Sequence, residues 1–362
     1  MIIKSAKVYQ YSLKLRRPLV LHDQTMQNRE GLVLQLISEE GLEGFGEIAP
    51  LPFFSEETFD DARDQLFSIK EGLCSRDIPE RVKNLNGKLG QWVNNPHLKP
   101  SVRFGIESAV LGLMANAAKT SIGKLIAPLA HPSIKTSGLL SGSDEDIVVE
   151  TRELLDHGFK EMKLKATADY NDTIKKVNIV LRAAYGKAIV HLDVNRAWDF
   201  ETAVSFGRQI GCDAISYIEE PFDDILCIPE FYSQAMIPVA LDESLKHLTV
   251  GDLRAISGVE VLILKPTILG GIEKTRLMMQ QSEQCALIAS VSSSFESSLG
   301  LSVLADVAST SSRNHVFAGL DTLKWFKQDL LHNPVRVENG SIMVRDRAIS
   351  SNDINFNLLR QL

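Results

Sequence analysis

The chain has little cysteine, no excess of positive charge and no long apolar run, and each shortage removes a class of function. Its four cysteines, Cys74, Cys212, Cys227 and Cys285, are scattered with no C-x-x-C pair. That argues against a disulfide scaffold or a thiolate metal site and fits the reduced thiols of a cytoplasmic protein. No stretch approaches the ~18 apolar residues of a membrane helix, and Met1-Ile2-Ile3-Lys4-Ser5-Ala6-Lys7 lacks the apolar core of a signal peptide. A net charge of -7 over 362 residues argues against a nucleic-acid surface. No low-complexity linker occurs, so any two domains are expected to pack together. The composition is that of a soluble globular protein, and a small molecule is the expected partner, with no obligatory protein partner and no membrane.

What is present is a spacing. Lys163-Leu164-Lys165, His191-Leu192-Asp193, Ile218-Glu219, Leu241-Asp242 and Leu264-Lys265 each end an apolar run on a charge. From Lys165 the steps are 28, 26, 23 and 23 residues, each about one strand, one helix and two short loops. Ser143 is placed to cap a helix that stops at Gly158, and helices over 172–184 and 201–210 stop near Gly186 and Gly211. The runs between them, 159–165, 188–193 and 215–219, are too apolar to face water. Strands alternating with helices predict a parallel sheet covered by helices, and charges at successive strand ends predict a closed barrel with its site at the carboxyl-terminal rim.

Asp193, Glu219 and Asp242 would then converge. At about 4 Å and an effective dielectric near 20, each pair of like charges costs about 4 kcal/mol, so the cluster must take up protons or bind a cation. An all-oxygen set favours a hard divalent ion, Mg²⁺ first and Mn²⁺ second. Lys163 and Lys165, two apart on a strand, share a face, and Lys265 enters from across the barrel. Amines near a metal and near one another have their charged form disfavoured, which suits a base. A base facing a metal-held carboxylate suits removal of the α proton with stabilisation of the enediolate.

Before the barrel, 31–37 and 42–48 flank the Glu39-Glu40-Gly41 turn as a hairpin, and the polar, aperiodic segment 21–29 reads as a mobile lid. Ser55, followed by Glu56 and Glu57, is placed to cap one helix, and 101–118 is another. Strands first and helices after predict an α+β domain over 1–127, with the barrel over 128–325 and a tail over 326–362. In that tail 334–337 and 342–344 form a hairpin expected to return to the N-terminal domain. The strand 286–291 leads into Ser292-Ser293-Ser294, whose N–H groups and hydroxyls either hold an anionic carboxylate or only cap the next helix. The last strand is read over 315–320.

Lys163-x-Lys165, Asp193-Val-Asn195-Arg196-Ala-Trp198, Ile218-Glu219-Glu220-Pro221, Leu241-Asp242-Glu243-Ser244 and Lys265-Pro-Thr together resemble the muconate-lactonising branch of the enolase superfamily. Within it, Gly46-Glu47-Ile48-Ala49-Pro50-Leu51-Pro52, 292–300 and Gly319-Leu320-Asp321-Thr322-Leu323 resemble the o-succinylbenzoate synthases. The resemblance extends over nearly the whole chain. It implies a modified (β/α)7β TIM-type barrel with an α+β capping domain built from the N-terminal part and the C-terminal tail. It implies Mg²⁺ on Asp193, Glu219 and Asp242, with Glu220 the lesser candidate, and Lys165 as base.

The reaction it implies is syn-dehydration of 2-succinyl-6-hydroxy-2,4-cyclohexadiene-1-carboxylate to 2-succinylbenzoate, toward menaquinone. Lys265 would stabilise the enediolate and Lys163 would lower the pKa of Lys165. The succinyl arm would lie toward Ser292, Ser293, Ser294 and Gly319 under the 21–29 lid. Asn195 and Arg196 would orient Asp193, with packing at a helix start as the alternative for Arg196 and Trp198. His191 stands where relatives are expected to carry a basic side chain, and is read first as a core histidine bonded to a neighbour. The alternative activities are N-acylamino acid racemase and dipeptide epimerase on the same scaffold. Asp321-Thr322-Leu323, in place of the Asp-x-Asp expected of epimerases, weighs against the second. A metal-stabilised binding barrel without turnover is disfavoured because no lysine or ligand is missing.

Overall fold

The structure, a computed structural model, describes residues 1–362 apart from 22–23, 80–84, 86, 254–255 and 314–315. Three strands open it as an antiparallel meander, β1 (Ile3–Leu21), β2 (Gln24–Ser38) and β3 (Glu43–Ile48). The turn between β2 and β3 holds Gly41 at φ 79°, the left-handed conformation that glycine adopts without strain. Of the segment 21–29 expected as a lid, Leu21 ends β1 and 24–29 begin β2, and residues 22–23 lie outside the described residues. Leu19 pairs with Met26 and Leu21 with Gln24. No local pattern announces this main-chain pairing across the hairpin. Arg29, at its end, is buried and donates to the carbonyls of Ala49, Pro50 (2.8 Å), Phe295 (3.1 Å) and Ser294 (3.3 Å).

Helix Phe59–Ile69 is capped by Thr58 in a reciprocal box with Asp61, not by Ser55. The Ser55 hydroxyl is committed to the Leu51 N–H at 2.9 Å, and Glu57 is buried, accepting from Ser101 N–H at 2.8 Å. Helix Pro100–Ala117 packs so closely on β3 that a Cβ on Gly46 would collide with the carbonyl of Gly105, which is why the strand carries glycine there.

The barrel follows. Its first strand is β4 (Ser133–Thr136) continued by β5 (Gly138–Leu140), and then come β6 (Glu161–Lys165), β7 (Ile189–Asp193), β8 (Ile218–Glu219), β9 (Val239–Leu241), β10 (Val259–Leu264), β11 (Ile288–Val291) and β12 (Phe317–Ala318). β5 to β11 form one parallel sheet in chain order. The ring closes where Ser292 bridges Gly319 and β12 pairs in parallel with β4. Among the described residues a helix follows each strand from β5 to β11, and no α-helix follows β12. That is the modified (β/α)7β form. Ser143 caps its helix as expected, with Asp146 closing the box. Along the strands Met162, Leu164, Val190, Leu192, Leu262 and Leu264 join the core under the helices, while Tyr217, Ala240, Val261 and Ile263 cluster separately inside the ring. The alternation sends Lys163, Lys165, His191 and Asp193 inward.

The tail hairpin, β13 (Val337–Glu338) with β14 (Ser341–Met343), forms but pairs with β4 of the barrel rather than with the N-terminal sheet. The last strand, β15 (Arg360–Gln361), is the one that returns, opposite Tyr9 and Gln10 of β1. We propose domain limits of 1–127, 128–325 and 326–362 on this topology.

Buried carboxylates of the cap tie it to the barrel. Glu47 of β3 accepts from Ser297 N–H (3.0 Å) and Gly300 N–H (2.7 Å) at the start of helix Ser298–Ser309, and from the hydroxyls of Ser297 and Tyr11. Glu107 accepts from Ile272 (2.6 Å) and Glu273 (3.0 Å) N–H at the start of helix Ile272–Gln284. Each satisfies donors that a helix start leaves open and lies at the positive end of its dipole.

Burial pushes Glu107 up to about 7, against the lowering by those N–H bonds and Arg103. Folding therefore takes up a proton between about pH 4.5 and 7, so the stability linked to the protonated carboxyl is full below that window and lost as pH rises through it. Glu107→Gln is expected to gain on the wild type by on the order of 2 kcal/mol between about pH 5 and pH 8, read from thermal midpoints. A difference between the two proteins that does not change with pH would refute this.

Candidate active site

The register of the sheet brings the site together. Lys165 is the cross-strand partner of Asp193, and Asp193 that of Glu219, while Glu219 faces Ala240, two residues before Asp242. Lys265 follows β10 directly. Lys163 Nζ donates to Glu219 Oε2 (2.6 Å) and lies 2.8 Å from Asp193 Oδ2. Lys165 Nζ donates to Asp193 Oδ2 (2.5 Å) and to Asn195 Oδ1 (2.6 Å). Lys265 Nζ pairs with Asp242 and lies 5.4 Å from the centre of the Phe54 ring, which the cap contributes. The three carboxylates are buried.

Burial raises all three carboxylates, and the neighbouring charges decide the outcome. Asp242 is pushed up to about 6, with Glu219 adding to the effect and Lys265 opposing it. Glu219 is raised by burial and by Asp193. Asp193, beside both Lys163 and Lys165, ends well below the usual carboxylate range despite burial. The sequence expectation for the amines concerned a metal beside them; here carboxylates face Lys163 and Lys265 directly. Burial works to lower Lys163 and Lys265, but the facing carboxylates outweigh it and hold both above the usual range. The cause is that both ammonium groups are ion-paired to the carboxylates, and committing those oxygens to a cation would remove it.

Glu220 is completely buried and does a different job from Glu219. Its Oε1 accepts from the N–H groups of Asp242 and Ser244, both at 2.8 Å, and its Oε2 accepts from Arg196 Nε and the Ser244 hydroxyl, both at 2.9 Å. It thereby fixes the turn that carries Asp242. Asn195 and Arg196 take left-handed φ of 47° and 60°, held by bonds to Asp193 Oδ1 and to the Glu220 carbonyl. Asn195 orients Lys165 as well as Asp193, since its Oδ1 receives the ammonium while its amide donates to Glu243 at 2.9 Å. Trp198 packs on Phe206 and donates to Thr167 O at 2.9 Å. His191 is buried in the ring, stacked on Tyr217 at 4.5 Å, with Nδ1 3.3 Å from Glu161 Oε1 but without hydrogen-bond geometry.

A cavity of about 760 Å³ opens over the three lysines, with Leu19, Leu21, Leu51 and Phe54 of the cap on one side and Ser292, Ser293 and Gly319 on the other. Ser294 does not line it. Glu296, buried, accepts from the Ser293 hydroxyl (2.6 Å) and from Ser294 N–H (2.7 Å), tying the serine loop to itself. No periodicity marks Glu296, and its position three residues after Ser293 is the only hint. A second cavity, about 810 Å³, lies under the C-terminal segment beside β12 and is lined by none of Lys163, Lys165, Lys265, Asp193, Glu219 and Asp242.

Whether the group fits a cation is decided by its donors. Among the described residues no three Asp, Glu, His or Cys side chains close on one point, because Lys163 Nζ lies between Asp193 and Glu219. Glu219 Oε1, however, is buried with no hydrogen-bond partner, an orphan beside two further carboxylates. An all-carboxylate set with an unsatisfied oxygen fits a hard divalent cation.

Residues 146–348 match the family described as "Enolase C-terminal domain-like", and 3–113 match "MenC, N-terminal domain". The chain is 30% identical to an o-succinylbenzoate synthase of Aliivibrio fischeri (strain MJ11) over 91% of its length and 93% of the relative's. It is 32% identical to that of Citrobacter koseri over 89% and 91%. It also matches Protein PHYLLO of Arabidopsis thaliana at 29%, spanning 21% of that much longer chain. Among solved structures, muconate lactonizing enzyme from Pseudomonas fluorescens superposes with a TM-score of 0.88 at 21% identity over 99% of both chains. Dipeptide epimerase from Enterococcus faecalis V583, complexed with Mg and a dipeptide, does so at 0.85 and 20% over 96% and 98%. Spacing, barrel and family matches agree, and the chain belongs to the enolase superfamily.

Proposed function

We propose that the protein is an o-succinylbenzoate synthase, a hydro-lyase of menaquinone biosynthesis that converts 2-succinyl-6-hydroxy-2,4-cyclohexadiene-1-carboxylate to 2-succinylbenzoate. The observation that carries this reading is the placement of Lys165 and Lys265 four strands apart in an eight-strand ring, facing each other across the carboxylates of Asp193, Glu219 and Asp242. The synthases at about 30% identity over nine-tenths of the chain support the choice of reaction. Asp193, Glu219 and Asp242 would hold Mg²⁺, or Mn²⁺ in its place, and the bound ion supplies the positive charge that stabilises an enediolate on the ring carboxylate.

Lys165, as the free amine, takes the proton α to that carboxylate. The ammonium so formed returns the proton to the hydroxyl on the same face, water leaves, the ring becomes aromatic and Lys165 is an amine again. Asn195 holds Lys165 Nζ in place for both transfers. Lys265 remains a cation on the opposite face, and Lys163 adds positive charge beside Lys165. The succinyl arm lies along Ser292, Ser293 and Gly319. Ser294 contributes through the shape of its loop. A cytoplasmic site of action is proposed from the scattered free cysteines, and among the described residues no helix is long and apolar enough to cross a membrane.

Opposed lysines also suit racemisation of an N-acylamino acid. Epimerisation of a dipeptide is disfavoured, because Asp321 is ion-paired with Lys324 at 2.7 Å and Thr322 is bonded to the Ser293 hydroxyl at 3.0 Å. A dehydration assay on the cyclohexadiene with and without chelator, beside racemisation of an N-succinyl amino acid, separates the two. Chelator-sensitive dehydration is expected, and racemisation with no dehydration would overturn the lyase.

Lys165→Ala should lower kcat by more than about 10²-fold while calorimetric Mg²⁺ affinity stays within a few-fold, since a general base contributes at least that much. Retained activity would remove Lys165 from the chemistry. Glu220→Gln replaces an acceptor of four bonds with one that cannot satisfy them all, and Mg²⁺ affinity should fall about 10–100-fold. Unchanged affinity would show that Glu220 does not position Asp242.

A further inference from the structure

The cavity has an end that the chemistry above leaves idle. The carboxylates stand on β7, on β8 and just after β9, and the lysines on β6 and after β10, so Ser141, just after β5, and Trp325, shortly after β12, lie across the ring from Glu219. Both line the cavity, whose cationic lining residues are the three lysines alone among the described residues. Bordering this far end, and not used so far, is Arg17 of β1. Its guanidinium lies 4.0 Å over the Trp325 ring, and its side chain keeps 43% of its surface exposed. Its Nη2 reaches the Ser141 hydroxyl and Glu150 Oε1 only at 3.4 Å each, the long limit of a hydrogen bond. The Trp325 indole N–H is buried without a partner.

We propose that Arg17, supported on Trp325, is the receptor for the distal carboxylate of a dicarboxylate ligand, and so determines specificity for the succinyl arm. The inference rests on the functional reading above, which supplies a ligand with one carboxylate on the ring and a second at the end of a flexible chain. The first belongs at the cluster. The second would otherwise enter a wall of apolar and hydroxyl side chains whose one carboxylate, Asp321, already holds Lys324 at 2.7 Å, so that among the described lining residues no cation is left to face it, a costly burial. A guanidinium is planar and matches a carboxylate in two parallel bonds, the indole face steadies it, and the loose tether to Glu150 and Ser141 can be exchanged for the ligand. The unpartnered indole N–H is a further donor beside it.

The test compares two ligands in the presence of Mg²⁺ by calorimetry, 2-succinylbenzoate and 2-butanoylbenzoate, which differ only in the terminal carboxylate. Wild type is expected to bind the dicarboxylate at least about tenfold more tightly, the scale of one charge-assisted contact. Arg17→Met should remove the preference by weakening the dicarboxylate alone, and Arg17→Lys should restore part of it. Arg17 keeps 43% of its side chain exposed, and an unchanged thermal midpoint confirms the fold. In turnover, Arg17→Met should raise KM for the cyclohexadiene about tenfold with little change in kcat. A wild type without the preference, or an Arg17→Met that keeps it, overturns the inference. Failure of the wild type to dehydrate the cyclohexadiene overturns the functional reading instead, and the calorimetry still judges Arg17.

Discussion

Six charged groups crowd the end of one barrel, and the electrostatics of that crowd governs the rest of the molecule. Asp193, Glu219 and Asp242 are buried side by side, and burial alone pushes each toward its neutral form. Lys163 and Lys265 are mostly buried, with 15% and 12% of their side chains exposed, and keep their protons because the carboxylates face them. None of these groups could sit there singly. The result is a cluster whose charges balance only in pairs. A dication held by these carboxylates would compete with the ammonium groups for the same oxygens, and would so couple cation binding to the availability of a base.

A cluster of that kind needs a stiff frame. The register of β6, β7 and β8 puts Lys165, Asp193 and Glu219 at one level, and Glu220, next to a ligand candidate, turns inward to hold the start of the Asp242 turn. At the cap the same device recurs. Glu47 and Glu107 are spent on the N-termini of barrel helices, and Arg29 gathers carbonyls from both domains, so the apolar walls of Leu19, Leu51 and Phe54 are fixed over the lysines. Buried charge at the cap is thus satisfied by backbone, which leaves the rim charges free to face a ligand.

Much of this was legible because the signals are local. Strand period, glycine stops and the Ser143 cap lie within a few residues of what they specify, so the barrel and its converging charges could be placed from spacing. Where the deciding contact is distant, the text is silent. The segment 21–29 reads as loose until β1 is laid beside it, and Ser55 reads as a cap until its hydroxyl is found on Leu51 N–H. The tail hairpin has the right turn, yet only the exposed edge of β4 decides where it docks. Asn195 was placed as a support for Asp193 alone, and its second partner, Lys165, arrives from a strand 30 residues away. The sequence reading set the amines against a metal and one another, and how closely the carboxylates approach Lys163 and Lys265 is visible only once the strands are side by side.

The convergence of three carboxylates on one divalent ion is tested most directly by an anomalous difference map from crystals grown with Mn²⁺. One strong peak is expected about 2 Å from oxygens of Asp193, Glu219 and Asp242, including Glu219 Oε1, with the amines of Lys165 and Lys265 on either side of it. A peak elsewhere, or crystals saturated with Mn²⁺ in which these carboxylates remain paired only to lysines, would contradict it.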